Sequence, residues 1–103
     1  MILITTDPAM VDAVHTADLT PQRFERLGQA AAAGALDMDE LVLIDRAALT
    51  TAAAVGRLNV PATLALLLLD TPTGEDWQLA TMADVTHVVV LPAAAGWLRA
   101  HTN

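Results

Sequence analysis

Leu41-Val42-Leu43-Ile44-Asp45 is apolar at every position until it closes on an aspartate, and two later stretches repeat the pattern. Ala62 to Leu69 is apolar but for Thr63 and stops at Asp70, and His87-Val88-Val89-Val90-Leu91 stops at Pro92. Strands of this kind lack the in–out alternation of a half-solvated sheet. They belong in a parallel sheet covered by helices on both faces. Ligands of such sheets bind beyond the carboxyl ends of the strands. The residues that stand there, Asp45, Asp70 and Leu91, therefore bear most directly on function.

On the N-terminal side, Ile2 to Thr6 reads as a first strand. Asp7 is placed to cap the helix that follows, and Pro8 suits its first position, so a short helix is expected from Pro8 to Thr16. Thr20-Pro21 repeats the start signal and predicts a second helix through Ala33, ended by Gly34. Phe24, Leu27 and Ala31 would share its buried face. A third helix is expected from Ala47 to Leu58, stopped by Asn59-Val60-Pro61. After the strand at Ala62 to Leu69 comes a turn at Thr71 to Gly74. Thr73 and Asp76 then form a capping box with Asp in place of Glu, at the start of a helix carrying Trp77, Leu79 and Met82. The strand His87 to Leu91 leads to a last helix, Pro92 to Ala100, with Trp97 and Leu98.

This order, β-α-α-β-α-β-α-β-α, predicts a flavodoxin-like three-layer α/β sandwich over residues 1–103, one domain, with a parallel sheet of about four strands. A fifth, truncated second strand is the alternative, with Ala13-Val14-His15-Thr16 as its candidate. Without it the first strand becomes a sheet edge, which invites pairing with another chain.

Composition narrows the function. The chain has 12 acidic residues against 5 arginines and no lysine, a net charge of -7. Nucleic acid and anionic membrane surfaces both require clustered cations, so neither is an expected partner. There is no cysteine, which removes disulfides and thiolate metal sites. No apolar run reaches bilayer-spanning length, and Met1-Ile2-Leu3-Ile4 has no basic segment before it, so a cytoplasmic location is expected. Abundant Ala and Arg without Lys suits a high-GC genome.

The chain resembles a response-regulator receiver domain, and more narrowly the atypical receiver-like domain of TadZ/CpaE-type proteins, including actinobacterial septum-site-determining proteins. The resemblance rests on Thr6-Asp7-Pro8, Leu43-Ile44-Asp45, Asp76-Trp77-Gln78-Leu79-Ala80, and His87 to Pro92 with Trp97-Leu98. It implies a non-enzymatic module for dimerisation or protein localisation. It also implies a link to a MinD/ParA-like ATPase, in septum or pole positioning or pilus assembly. The chain itself has no G-x-x-x-x-G-K-[ST] phosphate loop. A working receiver uses paired acids to hold a divalent cation, a phosphoacceptor Asp, a hydroxyl and a Lys, because metal and Lys neutralise the transferred group. On that pattern Asp45 stands at the acceptor and Asp7 supplies one acid, with Thr6 where the other belongs. Asp70 occupies the hydroxyl position beside Thr71, and Leu91 replaces the Lys. The resemblance thus implies a vestigial phosphoacceptor pocket of Asp7, Asp45, Asp70 and Thr71, without cofactor or metal. Asp45 is expected as a solvated strand end before it is expected as a phosphorylation site.

Two other functions compete. One is a phosphorylatable single-domain receiver. The other is a metal-dependent PIN-like nuclease built on Asp7, Asp45, Asp70 and Asp84, against which stand the short chain and the lack of a basic surface. His15, His87 and His101 lack metal-site spacing, and without Ser no Ser-His-Asp triad exists. Thr50 and Thr51 read as helix residues and Asp37 to Glu40 as a solvated loop. Trp77 and Trp97 read as core residues first and interface residues second, since Trp is enriched at binding hot spots. Arg99 could pair with an acid across such an interface, in a homodimer or with another protein.

Overall fold

Three buried strands lie side by side in parallel register and set the frame of the molecule. In the computed structural model, which describes residues 1–37, 39–55, 63–83, 85–91 and 93–101, Ile2, Leu3 and Ile4 of β1 (Ile2–Ile4) pair with Val42, Leu43 and Ile44 of β3 (Leu41–Ile44). On the far side of β3, Leu41 to Ile44 pair with Thr63 to Leu66 of β4 (Thr63–Leu68). Every residue of β1 and β3 is buried, as the absence of alternation requires.

Two further strands complete the sheet. β5 (His87–Val90) pairs with β4, and β2 (Gln22–Phe24) pairs with β1, giving an all-parallel five-stranded sheet in the order β2-β1-β3-β4-β5. This is the doubly wound order whose switch point lies between β1 and β3. The flavodoxin-like α/β class is therefore the observed one.

The helices are α1 (Pro8–Thr16), α2 (Leu27–Ala32), α3 (Arg46–Val55), α4 (Gly74–Met82) and α5 (Ala95–His101). Strand pleating divides the core into two layers. Leu3, Leu43, Ala65, Leu67 and Val89 face one way, where they pack with Met10 and Val14 of α1 and Leu98 of α5. Ile2, Ile4, Val42, Ile44, Leu64, Leu66 and Leu68 face the other way, against Leu27 and Ala30 of α2, Leu49 of α3 and Leu79 of α4.

Several element expectations need correction. The helix predicted from Thr20 to Ala33 is two elements: Gln22-Arg23-Phe24 is the fifth strand, and only Leu27–Ala32 is helical. Backbone bonds from Gln22 N–H to Met1 O (3.1 Å) and from Thr5 N–H to Phe24 O (3.1 Å) hold that strand on β1. Phe24 is thus a half-buried strand residue, and Ala30 rather than Ala31 is the buried alanine of α2. Ala13 to Thr16 lies inside α1. β1 is an interior strand, and among the described residues the sheet edges are β2 and β5. In the acidic loop Asp37 and Asp39 are exposed as expected, whereas Glu40 forms an ion pair with the buried Met1 ammonium. The expected helix stop at Asn59-Val60-Pro61, the end of the third helix at Leu58, Ala62, Asp84 and Pro92 lie outside the described residues, as does the side chain of His101.

Asp18 has a positive φ of 64° just past α1. The Leu19 N–H reaches Val14 O (3.1 Å), a bond that closes the helix end as a left-handed C′ residue allows.

Candidate functional site

At the carboxyl ends of β1, β3 and β4 the sheet opens into a cleft of about 700 Å³ lined by Thr6, Asp7, Met10, Asp45, Arg46, Thr50, Leu67 to Leu69 and Asp70. It sits at the switch point, where the fold rule places ligands. Asp7, Asp45 and Asp70 are brought together there, while Thr71 is exposed and does not line the cleft.

Asp45 is not a solvated strand end. It is only 5% exposed, and each carboxylate oxygen has a protein donor. Oδ1 accepts the Ala48 N–H at 2.7 Å, three residues into α3, which is the N-cap bond. Oδ2 accepts the hydroxyl of Thr5, a fully buried residue at the end of β1. The Thr5 oxygen in turn accepts the Asp7 N–H at 3.0 Å. Asp7 is exposed, and its Oδ1 accepts the Ala9 N–H at 3.0 Å, capping α1 as the sequence predicts. One hydroxyl thereby joins the entries of two helices.

The cation of the cleft is Arg46, which follows Asp45 directly. Its Nε donates to Asp76 Oδ1 at 2.6 Å and its Nη2 to Asp76 Oδ2 at 3.0 Å, a bidentate pair. Nη2 also reaches Asp70 Oδ1 at 3.3 Å, a contact between exposed groups. Asp76 is buried and also caps its own helix. Its Oδ2 accepts the Thr73 N–H at 2.9 Å while Thr73 Oγ1 accepts the Asp76 N–H, the capping box read from the sequence. The hydrogen bonds from Arg46, helped by the Thr73 N–H and opposed by burial, hold the Asp76 carboxyl down at about 2. The same hydrogen bond with Asp76 raises Arg46 above its ordinary value.

Thr5, Arg46 and Asp76 are the members of this network that sequence reasoning left without a role in the cleft. Asp76 carried a signal in its capping-box position. Arg46 carried none, since its partners, Asp70 past β4 and Asp76 in the first turn of α4, are brought near only by the β3-β4 pairing. Among the described residues no group of three or more His, Asp or Glu side chains is arranged to hold a metal ion, and no buried side-chain polar atom lacks a partner.

The interaction candidates lie elsewhere. Trp77 on α4 is 55% exposed and Met82 on the same helix is 81% exposed, so Trp77 is a surface residue rather than part of the core. Trp97 on α5 is half-buried against the core and meets the His87 ring at 5.3 Å. Arg99 Nη1 donates to Ala17 O at 3.0 Å, fastening α5 to the end of α1 within the chain. No helix among the described residues is long and apolar enough to cross a membrane. Comparison with protein-family models, with curated proteins and with solved structures gives no significant match.

Proposed function

We propose that the chain is a non-enzymatic, receiver-like interaction module. The carrying observation is that the strand-end cleft has its reactive groups committed to the fold. The carboxylate at the acceptor position is buried, caps α3 and takes the Thr5 hydroxyl. The cation beside it is held by two carboxylates. To receive a phosphoryl group, one oxygen of Asp45 would have to leave its present donor, and Leu91, at the position where a receiver has Lys, is a buried apolar residue with no charge to offer the product.

Exposed apolar groups on α4 give the module something to bind with. Trp and Met at exposed positions fit a protein partner, and a strongly acidic chain does not fit nucleic acid. The resemblance to TadZ/CpaE-type and septum-site-determining proteins suggests the setting: a cytoplasmic protein that dimerises or localises with a MinD/ParA-like ATPase, in septum or pole positioning or in pilus assembly.

The test is incubation of the folded chain with acetyl phosphate or beryllofluoride and Mg²⁺. Intact-mass and NMR spectra unchanged by either reagent are expected. A phosphoryl adduct on Asp45, abolished by Asp45→Asn, would overturn the reading in favour of a signalling receiver.

A further inference from the structure

His87 is the only titratable residue between Val85 and Leu98, and β4, which pairs with β5, holds none. It is exposed, stands opposite Ala65 of β4 and shares a face of β5 with Val89. That face is the one on which Leu98 of α5 packs.

Two contacts hold the imidazole. Its ring lies 5.3 Å from the Trp97 ring, with 38° between the planes, and its Nδ1 is 2.8 Å from Thr86 Oγ1. The Thr86 hydroxyl donates to Leu64 O at 3.3 Å, so its oxygen is left to accept the Nδ1 proton. Neutral His87 therefore carries its proton on Nδ1, and a second proton enters at Nε2 without breaking either contact. The helix that carries Trp97 is short. α5 has seven residues, and a helix of that length depends on packing for its stability. Ala95 and Leu98 are buried, Trp97 packs half-buried against the same core, and Arg99 donates to Ala17 O.

We infer that His87 is a proton-operated latch on α5, gripping Trp97 more firmly as a cation than as a neutral ring. A cation within about 6 Å of an indole centroid is drawn to its face, and the His87 ring is inside that distance. The latch lies at the amino end of β5, across the sheet from the cleft, and goes beyond the interaction-module reading without resting on it. The surrounding helices hold the other titratable groups. α4 carries Glu75 and Asp76 in its first turn, which follows the carboxyl end of β4, and Asp76 is paired with Arg46. α1, in the same layer as α5, carries Asp12 and His15 and is followed by Asp18, all exposed. α5 itself carries Arg99 and His101.

Trp77→Phe leaves Trp97 as the only tryptophan, and Trp77 is too exposed for the change to disturb folding. Emission from Trp97 should then fall between about pH 8 and about pH 5, the range over which histidine takes up its proton, because a protonated imidazole quenches an indole that it touches. Hydrogen exchange at the Leu98 amide, which donates to Ala94 O at 2.9 Å, reads the hold on α5. Corrected for the intrinsic rate, its protection should be about two- to fivefold greater at the lower pH. His87 is exposed, so its replacement leaves the fold intact. His87→Gln should abolish both responses. His87→Arg should keep the higher protection at both pH values, since a guanidinium stays charged and stacks on aromatic faces. His15→Gln and His101→Gln should leave both responses in place. Emission or protection that does not change with pH, a response that survives His87→Gln, or one lost in His15→Gln or His101→Gln would each overturn the inference. So would His87→Arg that protects Leu98 no better at the higher pH than His87→Gln does.

Discussion

The strand-end cleft and the α4–β5 side show opposite use of side chains. In the cleft, polar groups abound and are turned inward on one another: Thr5 on Asp45, Asp45 on the α3 entry, Arg46 on Asp76 and Asp70. On the α4–β5 side two large apolar groups, Trp77 and Met82, face water among the exposed polar residues Glu75, Gln78 and Thr81. The cleft's polar groups anchor helix entries. On the proposed reading, the residues of a chemistry are kept while their bonding serves the architecture, and recognition falls to the apolar groups of α4.

The severest challenge to this contrast lies at Asp76. Asp76→Ala removes the return half of the α4 capping box and a charge-assisted bidentate pair, and should lower unfolding free energy by about 2–4 kcal/mol in urea titrations. Asp45→Ala should cost about 2 kcal/mol, since it uncaps α3 and leaves the buried Thr5 hydroxyl without its acceptor. If that variant were as stable as the parent, the cleft carboxylate would be no anchor and the contrast would fail.

Acid titration probes the same anchoring by a second route. The Asp76 carboxyl lies at about 2 in the folded chain against 3.8 for the free group. A depressed carboxyl contributes stability that is fully present above its unfolded value and lost as pH falls through its folded one. Up to about 2 kcal/mol should therefore disappear between roughly pH 4 and pH 2, trimmed by solvent screening of the half-exposed Arg46. Asp76→Asn should flatten that limb of the stability curve. The smallest effect on folding belongs to the other region: Trp77→Gln should change stability by no more than about 0.5 kcal/mol while reducing self-association in light scattering. A stability loss as large as that of Asp45→Ala would make Trp77 a packing residue and erase the distinction.

Much of the fold was legible because unbroken apolar strands admit few architectures. Leu41 to Ile44 and His87 to Val90 read directly, and the starts at Asp7-Pro8 and Thr73-Asp76 read as caps because capping is local. β2 was hidden for a physical reason. An edge strand of three residues with one apolar side chain has no period of its own, and Phe24, Leu27 and Ala31 mimic helical spacing. The site was half legible: a strand-end Asp announces a position in the sheet and a local cap, but its hydroxyl partner comes from the end of a separate strand. Thr5 lies forty positions from Asp45 and Arg46 thirty from Asp76, and only strand order makes those pairs neighbours.

Trp77 follows Asp76 directly, and this adjacency turns the clamp into a pointing device. The first turn of α4 is pinned by a single guanidinium from the first residue of α3, so the turn that carries the indole is held from a different helix. Loosening the Arg46–Asp76 pair is therefore expected to register in the emission of the indole next to it.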